Sequence, residues 1–279
     1  MNKINSFVLI FILFIEALIV IADSEPRKSL EVKTTKLTSK MVVYGDQEKF
    51  EGYAVCAEES KEGKPGVLIA HQWLAILAET TKQADRFAAL GYVVFAIDVY
   101  GKDTRPKSIK DAVIFSTKYK SDRNLFRERL ILGLEELKKQ KNVDVARLAV
   151  VGYCFGGTAA IELGRSGASL LGIISFHGGL DSPKPADGKN IKAKVLALCG
   201  AIDPFVAPKD IIAFEDEMNV NQVDYQIVRY GGTVHSFTEE GAGNDTAKGA
   251  AYNKSSDLKS FHAAEDFLAE VFNFSKSVR

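Results

Sequence analysis

The sequence predicts an α/β fold, a mostly parallel central sheet with helices on both faces. Two observations carry this expectation. Short, continuously apolar runs of strand length alternate with amphipathic stretches of helical period along most of the chain. One of those runs, Leu148-Ala149-Val150-Val151, leads through a glycine-rich turn directly into a helical segment.

Taken in order, residues 41–44 and 50–56 read as two strands joined by the turn Gly45-Asp46. Residues 66–70 form a short apolar strand. The helix that follows places Ala84, Phe87, Ala88 and Leu90 on its inner face and stops at Gly91. Residues 92–97 are the next buried strand, and 102–122 form a charged, partly helical insertion. Phe126, Leu130, Ile131, Leu134 and Leu137 make a helical core stripe. Beyond the glycine-rich turn come a helix over 158–163, strands over 170–176 and 195–198, a helix over 211–218, a strand over 225–228 and a closing amphipathic helix over 258–272. No internal repeat or low-complexity tract interrupts this pattern, so residues 41–279 read as a single domain.

Composition narrows the function classes. The 279 residues carry 36 basic and 36 acidic side chains, so no bulk basicity suggests nucleic acid. Three cysteines, Cys56, Cys154 and Cys199, are too few and odd in number for a disulfide scaffold. No cluster of His, Cys and carboxylate residues has metal-ligand spacing, so no metal is expected. The N-terminus carries Lys3 before an apolar run interrupted by Glu16, with Val20-Ile21-Ala22 at its end. Residues 1–22 read as a signal peptide for a secreted or periplasmic protein, and 23–40 as a charged linker. The run is short for a membrane anchor, and Glu16 is costly at a bilayer centre.

The stretch Gly152-Tyr153-Cys154-Phe155-Gly156-Gly157 has the strand, Gly-x-nucleophile-x-Gly, helix form of a nucleophile elbow, with cysteine at the nucleophile position. The turn is so tight that side chains at Gly152 and Gly156 would strike the neighbouring elements. The helix N-terminus after Cys154 offers free N–H groups and a positive dipole end, which stabilise negative charge. Functional residues of open parallel sheets gather at the C-terminal ends of strands. Two such ends carry Asp203, in Gly200-Ala201-Ile202-Asp203-Pro204-Phe205-Val206, and His235, in Thr233-Val234-His235-Ser236-Phe237. The order Cys154, Asp203, His235 is nucleophile, acid, base. His235 would take the thiol proton and return one to the leaving group, while Asp203 holds the imidazole tautomer. The backbone N–H groups of Phe155 and Trp73 are the candidate oxyanion donors. Asp98 falls before the elbow and is expected to brace a loop. His177 reads as structural, and His262 as exposed or packed.

On these residues, and on Ile69-Ala70-His71-Gln72-Trp73 and the segment from Leu90-Gly91-Tyr92 to Ile97-Asp98-Val99-Tyr100-Gly101-Lys102, the chain resembles the dienelactone hydrolase family over roughly residues 41–272. The resemblance implies an α/β-hydrolase fold, a Cys-Asp-His triad and cleavage of lactones or other esters without a cofactor. Gln72 stands where the family's best-known members carry a glutamate. Lys102 and Glu239 stand where those members carry two arginines that hold a substrate carboxylate. Glu239 would repel such a group and Arg105 could compensate, so a neutral or differently charged ester is expected. Gln72, Lys102, Tyr153, Phe205 and Phe237 are the candidates for the substrate pocket. The partner expected is a small-molecule ester or lactone, acted on by a monomer. Two other readings remain at this point, a binding protein that turns nothing over and a thiol redox role for Cys154.

Overall fold

The computed structural model describes residues 35–58 and 63–273. The expected signal peptide and most of the expected linker lie outside these residues. Strands β1 (Leu37–Tyr44) and β2 (Phe50–Ala57) form an antiparallel hairpin at one edge of the sheet. The first strand therefore begins at Leu37 and takes in the last residues of the segment read as linker. Strands β3 (Lys64–Ala70), β4 (Val93–Ile97), β5 (Val143–Tyr153), β6 (Gly172–Phe176), β7 (Lys194–Gly200) and β8 (Tyr225–Tyr230) complete an eight-stranded sheet in the order β1-β2-β4-β3-β5-β6-β7-β8. Every pairing from β4 to β8 is parallel, whereas β2 meets β4 antiparallel.

Side chains alternate across each strand, and both faces of the sheet are covered. In β3, Leu68 and Ala70 join one core and Val67 and Ile69 the other. On the second face lie α1 (Ala78–Ala89) and α6 (Lys254–Asn273), through residues such as Phe87 and Leu268. The first face is covered by α3 (Arg123–Lys138), α4 (Phe155–Arg165) and α5 (Pro208–Val220), through Phe126, Leu163 and Phe214. Burial on both faces explains why these strands lack a polar face.

The insertion over 102–122 contains a full helix, α2 (Ile109–Ser121). Its start is fixed by Ser108, whose hydroxyl accepts from the Asp111 N–H at 3.1 Å. Asp122 caps α3 in the same way, accepting from Leu125 N–H at 3.0 Å. Two expected inward residues turn out exposed. Leu90 lies past the last turn of α1, and Ile131 is rotated off the Phe126, Leu130, Leu134, Leu137 stripe.

Beneath α4 lies a buried charge cluster with no apolar signature in the sequence. Arg165 donates to both oxygens of Glu217 on α5, at 2.9 and 2.6 Å, and to Glu162 at 2.9 Å. Arg127 on α3 reaches Glu162 at 2.8 Å. Each buried charge is thus paired, which links α4 to both neighbouring helices.

The closest approach of elements is at the start of α4. A Cβ built on Gly152 would enter the backbone of Gly156, and one on Gly156 would enter the Ala70 carbonyl at the end of β3. Gly156→Ala is accordingly expected to lower stability by about 2 kcal/mol or more, read as a reduced urea midpoint with unchanged slope.

Candidate active site

The turn between β5 and α4 holds Cys154 at φ 56° and ψ −117°, a region that L-residues rarely occupy. The Cys154 N–H donates to Phe176 O on β6 at 3.0 Å, so the turn is pinned to the adjacent strand. Cys154 is partly exposed and lines a cavity of about 280 Å³.

The loops after β7 and β8 bring Asp203 and His235 to it. Ile202 N–H donates to Thr233 O at 3.1 Å, joining the two loops. His235 is held by the segment that precedes α6: its N–H donates to Gly249 O at 3.1 Å, and its carbonyl accepts from Ala251 N–H at 3.0 Å. His235 Nδ1 lies 2.8 Å from Asp203 Oδ2, and His235 Nε2 lies 3.1 Å from Cys154 Sγ. The other Asp203 oxygen accepts from the Phe205 N–H at 2.8 Å, which fixes the carboxylate. The imidazole packs edge-on between His177 and Phe205, with ring centroids 5.0 and 5.1 Å away.

Burial pushes His235 down, but its hydrogen bonds to Asp203 and Cys154, and their negative charges, outweigh it and raise it from 6.5 to about 10. These contacts favour the protonated imidazole. His177 goes the other way. Buried and facing the His235 charge, it is held well below 6.5 and stays neutral. Its Nε2 lies 2.9 Å from Thr238 Oγ1.

Phe155 is the first residue of α4, so its N–H has no acceptor within the helix. Trp73 lies in the turn after β3 and lines the same cavity, as do Phe155 and Phe205. Its carbonyl accepts from Tyr100 Oη at 3.0 Å.

Four pocket candidates are placed elsewhere. Lys102 pairs with Glu51 at 3.4 Å, and Arg105 with the same carboxylate at 3.2 Å, so neither cation turns to the thiol. Phe237 is fully buried, packed edge-on against His177. Tyr153 points to the opposite side of β5 from the cavity and stacks on Phe176 at 4.5 Å. Gln72 is buried beside Glu239 rather than in the cavity. Asp98 braces the loop after β4, accepting from the N–H groups of Tyr100 and Gly101 at 3.0 Å each. His262 is exposed. All three cysteines are free, and burial pushes the Cys199 thiol up to about 12.

The cavity wall holds residues that sequence reasoning missed, chiefly Ser116 and Lys120 on α2 and Thr158 on α4. Thr158 lies one turn into the helix after the elbow, a position readable from helical period. Lys120 carried no such signal, since only the fold brings α2 over the strand ends. Lys120 Nζ lies 3.6 Å from Asp181. Among the described residues, no group of His, Cys and carboxylates could hold a metal ion, and no helix is long and apolar enough to cross a membrane.

The family model for the dienelactone hydrolase family matches residues 50–272. The solved structure of m3DLH is 33% identical, with a TM-score of 0.81, covering 85% of this chain and 99% of that one. A dienelactone hydrolase-like promiscuous phosphotriesterase, P91 from metagenomic libraries, is 31% identical with a TM-score of 0.80 and the same coverage. Protein usf of Aquifex pyrophilus is 28% identical over 189 residues, covering 64% of this chain and 79% of that protein. The extent of the family match, together with a sheet whose strand ends carry the elbow and its two partner loops, means that the chain belongs to the dienelactone hydrolase family and is a lactone or ester hydrolase.

Proposed function

We propose that the protein cleaves a small ester or lactone through a Cys154, His235, Asp203 triad and an acyl-enzyme intermediate. The observation that carries this reading is the unbroken line of contacts, 3.1 Å from Sγ to Nε2 and 2.8 Å from Nδ1 to Oδ2, beside a cavity large enough for a small acyl group.

The thiolate of Cys154 attacks the substrate carbonyl carbon. The tetrahedral oxyanion is received by the N–H groups of Phe155 and Trp73, at the positive end of α4. The His235 imidazolium gives its proton to the leaving alkoxide, and a thioester with Cys154 remains. Thioester formation removes the thiolate charge and its hydrogen bond, two of the causes that hold the imidazole pKa high. The neutral imidazole then takes a proton from water, and the resulting hydroxide attacks the thioester. Collapse expels the Cys154 thiolate and releases the acid, leaving His235 protonated as it began. Asp203 keeps Nδ1 protonated throughout and offsets the imidazolium charge.

Trp73, Phe155 and Phe205 give the cavity an apolar wall for the acyl or alkyl part, while Ser116, Lys120 and Thr158 supply polar groups along it. A turnover-free binding role is disfavoured by the elbow backbone, since a strained cysteine at φ 56° aligned on a buried histidine has no use in passive binding.

Cys154→Ala is expected to lower kcat/KM for p-nitrophenyl acetate by about 10³-fold or more. Wild type quenched during turnover is expected to carry one acetyl group on Cys154 by mass spectrometry. Equal hydrolysis by wild type and Cys154→Ala would sink the reading. In an NMR titration, His235 of the wild type is expected to lose its proton near pH 10 and that of Cys154→Ala at lower pH, since only the Asp203 contributions remain to raise it. A wild-type value already near 6.5 would remove the thiolate–imidazolium pair.

A further inference from the structure

Behind the loop that carries Trp73 is a second, much smaller cavity of about 10 Å³, separate from the one that opens on Cys154. Gln72, Glu79, Gln83, Tyr153 and Glu239 line it. Tyr153 Oη and Gln83 Oε1, from two of these lining residues, are buried without a hydrogen-bond partner among the described residues. The Gln72 amide faces Glu239 squarely. With its nitrogen turned to the carboxylate, it donates to both oxygens, at 3.2 and 3.0 Å. This contact joins two loops from different parts of the sheet, the one after β3 and the one after β8 that also carries His235.

The peptide geometry gives this contact its consequence. The Gln72 carbonyl and the Trp73 N–H belong to one planar peptide unit, so turning either turns both. That carbonyl accepts from the Ala75 N–H at 3.1 Å, and His71 Nδ1 lies beside it. The Gln72 side chain is the remaining handle on the same unit, and Glu239 grips it. Glu239 is itself fixed by its backbone, its N–H donating to Ser236 O at 3.0 Å, one residue after His235.

We propose that Gln72 and Glu239 are a positioning pair: the amide bonded to both carboxylate oxygens clamps the Trp73 peptide unit against the His235 loop, aligning the oxyanion donor with the base. The proposal rests on the hydrolase reading above. Neither side chain lines the cavity that opens on Cys154, so the pair acts through Trp73 and His235 and not on the substrate.

The clamp depends on charge. Burial raises Glu239 from 4.5 to about 7, opposed by the His235 charge and by Ser236, and reinforced by Glu79 on α1. The other titratable groups around it are His71 after β3 and Tyr153 at the end of β5, while Lys82 on α1 is turned to Glu240 at 2.7 Å. Below about pH 7 the carboxyl is neutral and accepts only an ordinary hydrogen bond. Above it the carboxylate accepts a stronger, charge-assisted one and faces the imidazolium of His235. Turnover should therefore gain a rising limb near neutrality.

The test is phenyl acetate hydrolysis by the full chain, with phenol measured by chromatography from about pH 5.5 to about pH 9. Gln72→Glu sets two carboxylates face to face and is expected to lower kcat by about 10-fold to 100-fold at about pH 8, with KM changed less. The exchanged pair, Gln72→Glu with Glu239→Gln, restores one amide and one carboxylate and is expected to recover kcat to within about 3-fold. Glu239→Gln alone is expected to lose the limb near pH 7. Wild-type kcat in Gln72→Glu, a folded exchanged pair no better than Gln72→Glu, or an unchanged limb in Glu239→Gln would each overturn the proposal. If Gln72→Glu does not melt cooperatively, the limb in Glu239→Gln decides. Cys154→Ala run beside these variants separates the two failures. Undiminished hydrolysis by Cys154→Ala ends the hydrolase reading and the proposal with it, whereas its loss with Gln72→Glu unaffected ends the clamp alone.

Discussion

The arrangement depends on a steric constraint, the near contact of three backbones at the ends of β3 and β5 and the start of α4. Only residues without a side chain fit at Gly152 and Gly156. That closeness lets Cys154 sit at the apex of the turn with its N–H tied to β6, and α4 begins at the next residue. The same approach puts the end of β3 against the elbow, so the turn holding Trp73 borders the same cavity. Paired buried charges beneath α4, from Arg165 to Glu217 and Glu162, hold the helix from below. They tie α4, which begins just after Cys154, to both neighbouring helices.

Much of this was legible in the sequence because the relevant signals are local. The elbow is six consecutive residues, and Asp203 and His235 each follow an apolar run at the place where a parallel sheet exposes its strand ends. What was not legible depended on partners distant in sequence. Lys102 looked available until Glu51, on the inner strand of the antiparallel hairpin, drew both it and Arg105 away. Tyr153 and Phe237 adjoin site residues in the chain, but the strand alternation sends Tyr153 to the opposite face, and Phe237 turns into the core under His177. Adjacency in sequence is a poor guide to the lining of a cavity, whereas position at a strand end is a good one.

The histidines illustrate how one residue type is given different roles by its surroundings. His235 lies between Asp203 and Cys154, whose hydrogen bonds and negative charges raise its pKa. His177, 5.0 Å away, is buried next to that positive charge and is kept neutral. A neutral neighbour can brace the imidazolium edge-on without competing for Asp203. His71 is buried as well, its Nε2 accepting from the Val99 N–H at 3.1 Å, which binds the loop after β3 to the loop after β4. Placement, more than residue type, divides the work.

The cavity wall formed by α2 separates two properties that many enzymes entangle. Ser116 and Lys120 belong to a helix inserted between β4 and α3, outside the sheet, while the thiol, acid and base all stand on strand ends. Ser116 and Lys120 line the cavity, whereas Phe115 and Tyr119 of the same helix pack on Tyr100, whose hydroxyl holds the Trp73 carbonyl. On the proposed triad reading, the molecule divides into strand-end residues that carry the chemistry and an inserted helix that shapes part of the cavity wall. On that reading, exchanges at Ser116 and Lys120 would change which esters fit while the strand-end residues keep their register.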